Sequence, residues 1–252
     1  MEGLKCYGAI IGDVVGSVYE FDNIRKKDFP LLTDRNFCTD DSILTIAVHR
    51  ILESRDYSKE NIVNTLKKWT KANLDGGYGL RYQRWAFSDD TEPYNSLGNG
   101  AAMRVSPVGW FASSEEEVKE LSKLVTEVTH NHKEGILGAE VTAMCVYYAR
   151  IGKTKEFIKE YVSKYYDIDF NYNYLVKNYQ FNELCRTTVP QAIYCFLISE
   201  DFEDCIRTTV SIGGDTDTLC AISCAIAEAY YKNIDKQLLD NVKLIINKLN
   251  IV

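Results

Sequence analysis

Two short acidic runs, far apart in the chain, hold the residues best suited to chemistry: Thr39-Asp40-Asp41-Ser42 and Gly213-Gly214-Asp215-Thr216-Asp217-Thr218. Each places two carboxylates beside hydroxyl side chains, and each opens a segment that reads as a helix. Brought together, they would offer four carboxylates and several hydroxyls to one spot. Such an oxygen-only donor set suits Mg²⁺, Ca²⁺ or Mn²⁺ rather than zinc or copper. Carboxylates that close stay ionised only beside counter-charge, which two divalent cations would supply. The same residue types are also preferred helix N-caps, and early-turn aspartates complement the helix dipole. The two runs alone do not separate a metal site from ordinary caps.

The elements that must position these runs are helical. Apolar residues recur at helical spacing over 7–19, 42–52, 60–69, 115–128, 135–149, 155–165, 191–198, 202–210, 218–231 and 236–249. Strand-like alternation is weak, and Pro30, Pro93, Pro107 and Pro190 read as element edges. Ser113-Ser114-Glu115-Glu116-Glu117 resembles a capping box, and Asp201 is placed to cap the helix after it. No repeat or linker divides the chain, so residues 1–252 are expected to form one compact, orthogonal all-α domain.

The first helix carries Gly8, Gly12 and Gly16 on one face, with Glu20 extending the row. Each helix-interior glycine costs about 1 kcal/mol relative to alanine. The stripe therefore implies close backbone approach, either to another helix or as an active-site floor with Glu20 at its rim. Asp13, the other acid here, reads as structural support.

Composition excludes several classes. At 252 residues, 46% hydrophobic and 26% charged, the chain has the balance of a soluble globular protein. A net charge of −7 argues against nucleic acid or anionic membrane as partner. No apolar run reaches the roughly 18 residues that span a bilayer. Met1-Glu2-Gly3-Leu4-Lys5 lacks the basic region and cleavage site of a signal peptide, so a cytoplasmic location is expected. The eight cysteines form no CxxC pair and are expected to be free thiols. A monomer is the expected state.

Two glycine-rich loops, Asp75-Gly76-Gly77-Tyr78-Gly79 and Ser96-Leu97-Gly98-Asn99-Gly100-Ala101, would let backbone amides approach a ligand. The second leads into a helical segment, where amides and the helix dipole favour phosphate. Neither matches a P-loop or dinucleotide fingerprint. Thr129-His130-Asn131-His132 holds two of three histidines at a spacing that reads as capping or surface rather than a metal pair.

The ordered set of motifs resembles the ADP-ribosylglycohydrolase family. It runs from Gly8–Ser17 with Glu20, through Thr39–Ser42, Gly76–Gly79, Gly98–Arg104 and Thr129–His132, to Gly213–Thr218. The resemblance implies an all-helical fold with a cleft holding two Mg²⁺, or Mn²⁺ in their place, and hydrolysis at C1″ of the distal ribose of ADP-ribose. It implies metal binding by Thr39, Asp40 and Asp41 from one side and by Asp215, Asp217 and Thr218 from the other. Gly77, Tyr78, Gly79, Gly98, Asn99, Gly100 and Ala101 would hold the pyrophosphate and riboses, with His130 nearby and both Tyr78 and Tyr94 within reach of adenine or ribose. Glu20, Asp40 and Asp41 are the candidates to manage the proton.

A glutamate after the Gly-Ser-x-Tyr turn resembles the branch acting on O-linked ADP-ribose, such as serine-linked. An arginine-directed hydrolase and a non-catalytic ADP-ribose-binding protein are the alternatives. A two-metal phosphoesterase is disfavoured by the lack of His-Asp metal motifs. The partner implied is an ADP-ribosylated protein or a small ADP-ribose conjugate. Two departures from the family pattern stand out: Ser42 replaces a frequent threonine, and Lys133 follows His132 where proline is common.

Overall fold

Apolar residues at helical spacing with few interior breakers make this chain helical, and the computed structural model describes residues 3–250. Met1 and Glu2, on which part of the leader reading rests, lie outside the described residues. The helices are α1 (Tyr7–Gly16), α2 (Asp40–Ser54), α3 (Lys59–Ala72), α4 (Leu80–Phe87), α5 (Gly100–Met103), α6 (Ser106–Phe111) and α7 (Glu115–Glu127). They continue with α8 (Lys133–Arg150), α9 (Lys155–Val162), α10 (Tyr172–Asn178), α11 (Cys185–Ile198), α12 (Phe202–Ile212), α13 (Thr216–Tyr231) and α14 (Lys236–Ile246). No strand occurs among the described residues; Gly98 and Leu184 form an isolated antiparallel bridge. No described helix is long and apolar enough to cross a membrane.

Helix starts follow side-chain chemistry. Thr39, Ser58, Ser114, Thr154, Asn171, Asp201 and Asp235 each accept a first-turn backbone N–H. Glu117 reaches back one residue beyond the Ser114 cap, accepting the Ser113 N–H at 2.6 Å, a variant of the expected box. Four short helices, α4, α5, α6 and α10, escape the periodicity reading because one or two turns carry too few apolar positions to show a repeat. One reading is corrected. Pro190 is the sixth residue of α11, inside the helix and not at an element edge. Its ring costs that helix only the bond to the carbonyl of Arg186, and the buried faces of α11 hold the helix together.

The glycine stripe is a packing device. A Cβ on Gly8, Gly12 or Gly16 would run into the backbone carbonyls of Cys224, Cys220 and Thr216 respectively. These partners descend α13 in steps of four as the glycines ascend α1, so the two helices run antiparallel in backbone contact. Their shared core is fully buried, including Ile10, Val14, Cys220, Ile222 and Ala225. The arrangement brings the last turn of α1 to the first turn of α13.

Replacing Gly12 with alanine should destabilise the protein by about 1–3 kcal/mol, the usual range for overpacking. Gly79→Ala, whose new methyl meets nothing within 4 Å, should change stability by less than about 0.5 kcal/mol. Urea denaturation of both variants checks the contrast, and equal midpoints would contradict the packing account.

Candidate active site

Where α1 and α13 meet, Asp13 gathers a third helix end. Its Oδ1 accepts the Thr39 hydroxyl at 2.7 Å, and its Oδ2 accepts the backbone N–H of Thr39 at 3.0 Å and of Ser42 at 3.1 Å. The Ser42 hydroxyl also donates to Oδ2. Asp13 is thereby a support that fastens the N-terminus of α2 to α1, as its position in the sequence suggested. Across the junction, the Thr216 hydroxyl donates to the carbonyl of Gly16 at 2.9 Å.

The two acidic runs therefore converge. Oxygens of Asp13, Asp41 and Asp217 lie within 4.8 Å of one another, as do oxygens of Glu20, Asp215 and Asp217. The Thr218 hydroxyl donates to Asp41 Oδ2 at 3.3 Å. Asp217 belongs to both groups, so it sits between them. Asp40 is half-buried on the cleft wall, and its N–H donates to the carbonyl of Gly76 at 2.6 Å.

Capping and carboxylate clustering coexist here. Thr39 caps α2, yet the Asp215 side chain makes no cap bond to α13 and instead accepts the Asn99 amide at 2.7 Å. Burial of so many carboxylates pushes their protonation up. Glu20 rises to about 8 through burial and the charges of Asp217, Asp40, Asp13 and Glu183. Asp13 rises to about 7 through burial and Asp217. Asp40, Asp41 and Asp215 are pushed well above the carboxylate range, chiefly by burial and by Asp217.

Asp41 Oδ1 is buried with no hydrogen-bond partner among the described residues. An orphaned carboxylate oxygen inside an all-oxygen cluster is what a hard divalent cation would satisfy. The residues present thus fit a metal ion.

Glu20 follows α1 in a turn that is tied down by residues the sequence reading passed over. The Asn23 amide clasps Gly214 from both sides, accepting its N–H at 2.7 Å and donating to its carbonyl at 3.1 Å. Arg25 donates to the carbonyls of Val176, Tyr179 and Ile212. Gly213 and Gly214 both adopt positive φ, +70° and +81°, and a side chain at Gly213 would strike Asn23 and Arg25. Glycine is required on both counts. Asn23 also donates to the nearby carbonyls of Tyr19 and Glu20, but no spacing rule marks its clasp on Gly214 or the bonds of Arg25, whose backbone partners lie about 150 to 190 residues away.

The carboxylates floor a cleft of about 570 Å³. Gly77, Gly79, Gly98 and Gly100 line it, and a Cβ at Gly77 or Gly79 would meet nothing within 4 Å, so these glycines face open space. His130 also lines the cleft, and its Nε2 stands 3.2 Å from where a Gly100 Cβ would lie. Arg104 donates to the Thr129 hydroxyl at 2.7 Å, and that hydroxyl lies 2.8 Å from His130 Nδ1. The same hydroxyl donates to the carbonyl of Thr126 at 3.4 Å, so Thr129 links Arg104, His130 and the end of α7. Burial and the nearby Arg104 and Arg81 keep His130 neutral by lowering its pKa.

Three predicted ligand residues sit differently from expectation. Tyr78 turns its ring inward against Tyr82 and donates to the carbonyl of Asn73 at 2.9 Å. Ala101 is wholly buried beneath its loop. Asn99 spends its amide on Asp215, orienting that carboxylate. Arg104 was present in the Gly98–Arg104 motif but carried no role; it is buried, and its Nε and Nη1 have no partner among the described residues. Tyr94 stands in the wall beside His130, with rings 6.0 Å apart and the Arg81 guanidinium over its face. His132, by contrast, caps α8 by accepting the Glu134 N–H.

Comparison with known proteins matches this chain to a family. The model of the ADP-ribosylglycohydrolase family matches residues 6–250. The chain belongs to the ADP-ribosylglycohydrolase family. It is 26% identical to ADP-ribosylhydrolase ARH3 of Homo sapiens over an alignment of 302 positions, covering 89% of this chain and 83% of that protein. It is 24% identical over 201 positions to the ADP-ribosyl-(dinitrogen reductase) glycohydrolase of Rhodospirillum rubrum, covering 77% of this chain and 68% of that one. A solved structure described as an ADP-ribosylglycohydrolase-related protein complex shares the fold, with a TM-score of 0.73 at 22% identity over 95% of this chain and 93% of the other. Family membership makes the protein a hydrolase acting on glycosyl bonds.

The raised carboxyls give a signed pH dependence. Asp13 at about 7 and Glu20 at about 8 hold protons that the unfolded chain releases near pH 4. Their contribution to stability is full below about pH 4 and is lost as pH rises through 7 to 8. The melting temperature in EDTA should fall between pH 6 and 9, and Mg²⁺ should restore it most at the alkaline end. Glu228, also at about 8 under its burial, adds a metal-insensitive part of the same sign. A melting temperature indifferent to both pH and Mg²⁺ would contradict the carboxylate cluster.

Proposed function

We propose that this protein hydrolyses the glycosidic bond at C1″ of ADP-ribose, releasing ADP-ribose from a modified protein or small conjugate, with O-linked substrates of the serine type preferred. The observation that carries the reading is the convergence of Glu20, Asp41, Asp215 and Asp217 at the floor of a glycine-lined cleft. The names of the relatives support ADP-ribose as the common unit of the substrate. The placement of Glu20 in one cluster with Asp215 and Asp217 supports the O-linked branch, where the glutamate stands at the metal.

Two divalent cations, Mg²⁺ or Mn²⁺, would be held by Thr39, Asp40 and Asp41 on one side and by Asp215, Asp217 and Thr218 on the other. Bound there, they would supply Lewis-acid polarisation of ribose and water oxygens. The chain's own groups do the rest. Asp13 holds the Thr39 end in place, and Asn99 orients Asp215. The open faces of Gly77, Gly79, Gly98 and Gly100 admit the pyrophosphate and riboses close to the backbone. His130, kept neutral, turns its Nε2 toward the Gly100 loop, within reach of a ligand held there.

Glu20 lies at the edge of the cluster, half-buried, where its neighbours' charge favours a proton on its carboxyl. It passes that proton to the departing oxygen as the C1″–O bond breaks, and takes one from the water that adds to C1″.

The test is release of free ADP-ribose from serine- and arginine-linked ADP-ribosyl peptides, with Mg²⁺ and with EDTA. Metal-dependent release from the serine-linked peptide is expected; release from the arginine-linked peptide alone would move the assignment to that branch. Asp217→Ala should abolish release while leaving the helical circular dichroism intact. Glu20→Gln should lower kcat by at least about a hundredfold, in the range of a lost general acid–base, with little change in ADP-ribose affinity. Unchanged kinetics in that variant would remove Glu20 from the mechanism.

A further inference from the structure

The mouth of the cleft carries an aromatic pair that neither the core nor the carboxylate floor requires. Phe21 is 86% exposed and Phe181 is 43% exposed. Their rings nonetheless stack across the opening, with centroids 5.9 Å apart and planes inclined by 26°. The two residues come from different walls. Phe21 follows Glu20 in the turn after α1, and Phe181 stands two residues before Glu183 at the approach to α11. Both walls are fixed: Asn23 and Arg25 secure the first, while the carbonyl of Glu183 accepts the Asn99 N–H at 2.7 Å in the second.

Glu183 is exposed and lines the cleft beside Phe181. Its carboxylate makes no ion pair among the described residues. The arginines lining the cleft lie elsewhere, along the Tyr94 and His130 wall. The mouth thus combines exposed ring faces with unpaired negative charge.

We propose that this collar of Phe21, Phe181 and Glu183 recognises the acceptor rather than the nucleotide, selecting polypeptides in which a lysine or arginine neighbours the ADP-ribosylated residue. The proposal rests on the hydrolase reading above. With C1″ at the carboxylates, the bond to be broken points away from the glycine loops, and the acceptor leaves by the mouth. A side-chain cation there meets ring faces and a carboxylate together, the two surfaces that attract it. A net charge of −7 adds long-range attraction for a basic acceptor. An apolar or acidic acceptor would bury the rings but leave Glu183 opposed or unpaired.

The experiment compares three substrates on the intact protein with Mg²⁺. Two are serine-linked ADP-ribosyl peptides, identical except for lysine or glutamine beside the modified residue; the third is ADP-ribose acetylated at C1″, which has no peptide. The lysine peptide should show a kcat/KM about five to ten times higher, the combined scale of one exposed ion pair and one cation–π contact. Glu183→Gln and Phe181→Ala should each shrink that preference to about twofold, as should raised salt for the charge component. Phe181→Ala should leave turnover of the acetyl conjugate unchanged. Equal kcat/KM for the two peptides would overturn the collar. So would a Phe181→Ala variant that loses the acetyl conjugate as severely as the peptides, because the rings would then belong to the nucleotide subsite. Absence of turnover with all three substrates would instead sink the hydrolase reading, and the collar with it.

Discussion

The site depends on two helices that touch without side chains between them. Because Gly8, Gly12 and Gly16 present bare backbone to the carbonyls of α13, the last turn of α1 lands on the first turn of α13. Everything chemical follows from that contact. Asp13 rides on α1 and holds the start of α2, so three helix ends share one corner. The Glu20 turn leaves from the same corner and is clasped back by Asn23 and Arg25. A side chain in the stripe would part the helices and pull the two acidic runs out of register.

That corner concentrates like charge where burial makes charge expensive. Hydrogen bonds offset part of the cost: four donors on Asp13, the Asn99 amide on Asp215, the Thr218 hydroxyl on Asp41. They do not remove it, since Asp13 and Glu20 still hold protons into the neutral range and Asp41 keeps a buried oxygen without a partner. Repulsion of this kind is relieved either by protons or by cations. Protons and divalent ions therefore compete for the same corner, and metal affinity is expected to rise with pH. Glu20, at the edge of the cluster, is where that competition touches proton transfer.

Much of this was legible in the sequence because it rests on local rules. Helical periodicity, the Ser114 and Asp201 caps and the fourfold glycine spacing each encode a contact within one or two turns. Of the two readings of the glycine stripe, packing is the one the structure bears out, with Glu20 still at the cleft rim. Asp13 as support was equally readable, being one face away from the stripe. What escaped the sequence is long-range or inward. Asn23 and Arg25 bind backbone carbonyls from distant segments, which no spacing announces. Tyr78 sits in a glycine loop yet turns into the core because Tyr82 and the Asn73 carbonyl lie behind it. Pro190 resides within α11 because tertiary packing outweighs one missing hydrogen bond. The pairing of Phe21 with Phe181 joins residues 160 positions apart by sequence number, and only the fold brings them together.

The central claim is that the converged carboxylates form a two-cation centre. The measurement that tests it most directly is calorimetric titration of the EDTA-treated, dialysed protein with Mn²⁺ at pH 7.5, beside the Asp217→Ala variant. The account predicts two bound ions per chain, proton release on binding, and loss of both sites in the variant, because Asp217 stands in both clusters. A stoichiometry of zero, or undiminished binding without Asp217, would contradict it.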